Sequence, residues 1–197
     1  MKTVLGIAIV GFAVSASAQF PLRLSIDVSA KTSKRSIGAG ATGEARMQDV
    51  QVNVNVSQRG GQLYTDPLQM ELYIIGKQTH TGYYGIIDVI EKNFAFTQEN
   101  SRSFEFKSQM YAIGRTSGNI NVGASYETYL VVVVDKDNKV IDTRSGRVIR
   151  EEGIAFIREL GPMTLFDRDG NVVGKVENPG KAFRNAIPAA TNPGSDY

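Results

Sequence analysis

Few residues in this chain are of types that do chemistry, and their spacing decides what they can do. There is one histidine, His80, and no cysteine in 197 residues. Thiol chemistry is therefore excluded, and so is a zinc site built from several histidines or cysteines. A serine hydrolase would have to use His80, yet no G-x-S-x-G elbow accompanies it. The twenty acidic residues could supply an opposed carboxylate pair of the glycosidase type, but they sit mainly in turns or on polar strand faces. The chain also lacks the tryptophan that commonly lines a carbohydrate cleft. Two segments, Asp135-Lys136-Asp137-Asn138 and Asp167-Arg168-Asp169-Gly170-Asn171, place carboxylates two apart as calcium loops do. Neither continues to a glutamate at the twelfth position, and both stand where a hairpin must turn, so turn chemistry accounts for them. We expect no enzyme activity, cofactor or metal.

The residues best suited to recognition lie in Gly76 to Gly85, GKQTHTGYYG. His80, Tyr83 and Tyr84 form the expected binding set. The adjacent tyrosines must point in opposite directions along an extended segment, so only one of them enters a core. The other offers a flat apolar ring with hydroxyl and imidazole groups at its rim, suited to a sugar ring or a protein contact. The bland reading is that both tyrosines cap the end of a sheet.

The elements that position this loop are organised around Tyr126 to Ile141. In that run Tyr126, Thr128, Leu130, Val132 and Val134 alternate with Tyr129, Val131 and Val133, so both faces are apolar and the strand belongs in the middle of the structure. It needs a layer in front and another behind, or one layer plus a helix. Asp135 to Lys139 then marks a hairpin into Val140 and Ile141. A half-buried strand starts at Leu22, with Leu24, Ile26, Val28 and Ala30 on one side. Val50, Val52, Val54 and Val56 give the cleanest two-residue period, opposite Gln51, Asn53, Asn55 and Ser57. Asn55-Val56-Ser57 also matches a glycosylation acceptor, which matters only in a cell that glycosylates this way. Leu68, Met70, Leu72 and Ile74 form a third alternating strand, with Gln69, Glu71 and Tyr73 opposite.

Lys31 to Gly43, KTSKRSIGAGATG, reads as a mobile loop. It is glycine-rich beside lysines, but lacks the order of a phosphate-binding loop and its following helix. Two strands are expected between Ile86 and Met110, kinked or bulged near Glu91 to Asn93, and Thr116 to Gly123 reads as a polar loop. Beyond Ile141 the period becomes helical: Ile149, Gly153, Phe156, Ile157 and Leu160 share a face, and Gly161-Pro162 ends a short helix over 149–160. Thr164 to Val176 is a hairpin turning at Asp169-Gly170.

Lys2, the apolar stretch from Val4 to Val14 and the exit Ala16-Ser17-Ala18 make residues 1–18 a secretory signal peptide. The expected organisation is thus a leader over 1–18, one domain over 19–177 and a disordered tail over 178–197, where Pro, Asn, Gly and Ala show no period. Removing Lys2 takes the 22 basic residues to 21, against 20 acidic ones, a net charge of +1. That balance gives no reason to expect nucleic acid or acidic lipid as a partner. No later stretch is apolar enough to span a bilayer. An exported chain without cysteine is held by burial and hydrogen bonds alone, which fits a bacterial secreted or periplasmic protein.

Some eight short strands and one helix imply an all-β, single-domain, two-layer β-sandwich. Its nearest common architecture is immunoglobulin-like or fibronectin-like, by analogy of packing only, since the buried Trp and Cys pair of true immunoglobulin domains are missing. The expected role is a binding or structural module of the cell exterior, an adhesion, surface or assembly component with a protein or glycan partner. The competing expectation is a carboxylate-dependent hydrolase or a partner of one.

Overall fold

The computed structural model describes residues 22–40, 43–78, 82–108, 111–117, 120–122, 124–147, 149–161 and 164–175. The expected leader over 1–18 and tail over 178–197 lie outside the described residues, as does His80. Two antiparallel sheets pack face to face, so the chain is the all-β sandwich that its periods imply. The first sheet holds β1 (Leu24–Gly40), β2 (Gly43–Gln58), β5 (Ser101–Lys107), β6 (Tyr111–Ser117) and β7 (Ile120–Val122). Both β5 and β6 pair with β2, one after the other along its length. The second sheet runs β11-β10-β4-β3-β8-β9. Its members are β3 (Leu68–Gln78), β4 (Tyr84–Phe94), β8 (Ala124–Asp135), β9 (Val140–Ser145), β10 (Thr164–Phe166) and β11 (Val172–Lys175).

The doubly apolar strand is β8, and it is covered on both faces. Val131 and Val133 face the intersheet core with Val50, Val52, Val54, Val56, Met70 and Leu72. Leu130, Val132 and Val134 face the other way, into a second cluster capped by Ile157 of α1 (Glu151–Glu159) and by Leu160, which caps that helix. The molecule is therefore sheet, sheet and helix in three layers, the second of the two arrangements open to a strand of this kind. Each fully buried valine contributes roughly 1.5–3 kcal/mol through burial, so these few positions carry a large share of the fold. The helix occupies 151–159 within the expected 149–160.

Two bulges change which face a side chain reaches. Between β3 and β8 the partners step from Ile75–Thr128 to Gly76–Tyr126, leaving Glu127 as an extra residue. Tyr126 consequently packs with Tyr129 against the intersheet core, rather than on the face of Leu130 that strict alternation gives it. Between β3 and β4 the partners step from Ile74–Asp88 to Ile75–Ile86, so the bulge falls on Ile87, and 91–93 pair regularly where a kink was expected. Ile86 then joins the helix-side cluster and Ile87 the intersheet core.

Two expected loops are strands. Lys31 to Gly40 continues β1, paired with Gly43 to Gln51 of β2 with one register shift at Gly38. Lys31, Thr32, Ser33 and Lys34 are exposed, so this part of β1 shows no apolar face; backbone pairing makes the strand, and polar composition alone imitates a loop. The segment read as a loop over Thr116 to Gly123 contains the β6–β7 hairpin, with Ser117 opposite Ile120.

Candidate functional site

The β3–β4 hairpin ends at the loop that holds the expected binding residues. Gly76 gives close approach there: a Cβ on it would stand 2.7 Å from Ile87 Cδ1 and 3.2 Å from the Ser125 carbonyl oxygen. The turn is closed by the Gln78 N–H donating to the Tyr83 carbonyl at 2.8 Å and the Gly82 N–H donating to the Gln78 carbonyl at 3.0 Å. Gly82 has φ +72°, a left-handed backbone that glycine adopts without penalty.

The two adjacent tyrosines are both half-buried and stand at the start of β4. Tyr84 packs against the helix-side cluster. Its ring stacks on Phe166 at 5.7 Å between centroids, and Phe166 in turn meets Phe156 of α1 edge-on at 5.7 Å. The Lys77 ammonium lies 5.4 Å from the Tyr84 centroid, a cation–π contact. Tyr84 thus belongs to the scaffold and ties β4 to β10 and the helix. Tyr83 is half-buried and belongs to neither apolar cluster. The described residues bring Tyr83 and Tyr84 together at one end of the second sheet, while His80 lies outside them.

The most constrained polar group was not singled out from the sequence. Glu71 is 6% exposed on the face of β3 beneath α1. Arg158 donates to its two carboxylate oxygens, Nε to Oε2 at 2.8 Å and Nη2 to Oε1 at 2.9 Å, and the Tyr73 hydroxyl donates to Oε2 at 2.9 Å. Arg158 also donates to Asn138 Oδ1 in the β8–β9 turn. Hydrogen bonding to the Glu71 carboxylate raises the Arg158 pKa, and burial, reinforced by the bond to Glu71, pushes the Tyr73 phenol well above the usual tyrosine range. This fork holds α1 on the sheet and connects to the helix-side cluster that supports Tyr84. Glu71 and Glu91 are cross-strand partners, like charges whose opposition Arg158 offsets.

At the sandwich end, Tyr126 is pushed up to about 12 by burial, with the neighbouring Tyr129 adding to the shift. Its backbone N–H donates to buried Gln48 at 3.3 Å. Both Asp-rich turns use the first aspartate as a backbone acceptor. Asp135 Oδ1 accepts from the N–H groups of Asp137 at 2.9 Å and Lys139 at 3.0 Å, and Asn138 takes φ 62°. Asp167 Oδ1 accepts from the N–H groups of Asp169 at 2.9 Å and Asn171 at 2.8 Å. The Asn171 side chain first, then these backbone donors, hold the Asp167 carboxyl below its usual pKa. Among the described residues no group of three or more His, Asp or Glu gathers where it could hold a metal, and no helix is long and apolar enough to cross a membrane.

No family model matches the chain. No curated protein matches it either. Solved structures similar to it include a crystal structure from Akkermansia muciniphila, 15% identical, covering 82% of this chain and 90% of that one with a TM-score of 0.31. Another is the X-ray structure of Northeast Structural Genomics Consortium target SoR45, 12% identical, covering 64% of this chain and 92% of that one with a TM-score of 0.25.

Proposed function

We propose that the chain is an exported, non-enzymatic module with a binding or structural role at the cell exterior, and that it recognises a protein or glycan through the β3–β4 turn. The observation that carries this reading is the division of labour between the adjacent tyrosines. Tyr84 is committed to the apolar cluster under the helix, which holds the neighbouring backbone in place. Tyr83, half-buried like Tyr84 but outside both apolar clusters, adjoins the two backbone hydrogen bonds of the hairpin, and its ring is the one assigned to recognition in this reading. An aromatic ring has few rotatable bonds and loses little conformational freedom on binding, so its contact area converts efficiently into affinity. His80, two residues before Gly82 in the sequence, is the imidazole that this reading adds to the recognition set. The test is retention of the exported chain on the cell envelope and on immobilised envelope glycans, compared with the same chain carrying Tyr83→Ala. Loss of retention with an unchanged melting temperature supports the reading, and undiminished retention rejects it.

A further inference from the structure

Among the described residues, one edge of the second sheet is incompletely paired. Strand β10 pairs with β4 only at Phe166–Tyr84 and Leu165–Gly85. From Ile86 to Phe94, no strand among the described residues pairs with β4 on the side away from β3. An open edge of regular strand presents backbone N–H and C=O groups as a template for another strand.

We infer that this edge pairs with the same edge of a second copy of the chain, antiparallel about a two-fold axis centred on Ile90. Such an axis, perpendicular to the sheet, keeps each side chain on its own face, so the possible registers differ by steps of two residues. Centring on Glu91 sets that carboxylate opposite itself, and centring on Lys92 sets two ammonium groups together. Centring on Val89 puts Asp88 opposite Ile90 and Glu91 opposite Ile87. Only the Ile90 register sets Asp88 of one copy opposite Lys92 of the other, twice by symmetry, with the two Ile90 side chains between them; on the opposite face it sets the exposed Glu91 against Val89, so the preference rests on the two Asp88–Lys92 pairs, which the Val89 register lacks.

The geometry within one copy suits that register. Asp88, Ile90 and Lys92 are partners of Ile74, Leu72 and Met70 across β3, all three in the intersheet core. They therefore share the face toward that core. Lys92 is exposed, and Asp88, Val89 and Ile90 are half-buried. Asp88 need not be otherwise unpartnered, because a carboxylate accepts at both oxygens. The bulge at Ile87 and the arrival of β10 at Gly85 bound the contact at one end, so the regular pairing runs over Asp88 to Lys92. Pairing in this way joins the two six-stranded sheets into one and removes the open edge from both copies.

The competing reading is that Lys92 is an edge guard that keeps the chain monomeric. Sedimentation velocity of the full chain over a concentration series into the high micromolar range separates the two. The expected result is a concentration-dependent dimer. Asp88→Lys and Lys92→Asp each weaken it by roughly tenfold, since each creates two like-charge oppositions, and the double variant restores it. Melting temperatures establish that each variant is folded; should Asp88→Lys unfold, the exposed Lys92→Asp carries the test against wild type. A monomer at every concentration, single variants that dimerise like wild type, or a folded double variant as weak as the singles each overturns the assignment.

Discussion

Replacing Arg158 by methionine would leave the Glu71 carboxylate under α1 with only the Tyr73 hydroxyl as a side-chain donor among its present partners. The magnitude follows from what each group loses. Glu71 has a side chain 8% exposed, so its hydration is not recovered when the guanidinium leaves. Removing one member of a buried pair costs about 3–5 kcal/mol. Arg158 retains 19% of its side-chain exposure, which screens part of the attraction and puts the expectation near the lower bound, about 3 kcal/mol. For a domain of this size that corresponds to a melting temperature lower by roughly 6–12 °C. The assay is urea denaturation with a parallel thermal scan, and the double variant Glu71→Leu with Arg158→Leu is the control. Removing both charges leaves apolar side chains over the helix-side cluster, and stability should return to within about 1 kcal/mol of wild type. A loss below about 1 kcal/mol in Arg158→Met, or a double variant no better than the single, would refute the view that a desolvated carboxylate, rather than helix packing alone, makes this contact sensitive.

Two further outcomes test the layers and their titration. Val132→Asp, at a site with no exposure between β3 and β9, should cost several kcal/mol, roughly 3 or more, whereas Asn55→Asp on the polar face should cost under about 1; similar melting temperatures for the two would contradict the three-layer packing. Tyr126 holds its proton more tightly in the fold than in the unfolded chain, where tyrosine titrates at 10.0. Its contribution is intact below that pH and is lost as pH rises toward about 12. Tyr126→Phe should therefore flatten the alkaline limb of a stability–pH curve by about 1–2 kcal/mol, and an unchanged limb would contradict the assignment.

The layer order was legible because β8 is apolar on both faces, and only a covered strand tolerates that. The valines of β2 were legible for a similar reason, one face being buried and the other wet. The bulges were not: an extra residue at Glu127 or Ile87 shifts facing without altering composition, so Tyr126 and Ile87 depart from simple alternation. Nor was the role of Glu71. Gln69, Glu71 and Tyr73 read as the polar side of a half-buried strand, because α1, which covers Glu71 and Tyr73, comes some eighty residues later in the sequence. The continuation of β1 over Lys31 to Gly40 went unread because its pairing is carried by the backbone, leaving no apolar period to detect. At the candidate site, the packing of Tyr84 depends on Phe166 and Lys77, neither of which the loop sequence points to.

The measurement that bears most directly on recognition at the β3–β4 turn is a paired titration of Tyr83→Ala and Tyr84→Ala against envelope material that retains wild type, with a melting curve for each. Tyr83→Ala should melt like wild type and lose at least about tenfold in affinity, the size expected of an aromatic anchor. Tyr84→Ala should melt lower, having lost the stack on Phe166 and its contacts under the helix. If Tyr83→Ala binds like wild type, or if both variants lose stability together, the turn is scaffold and recognition does not lie there.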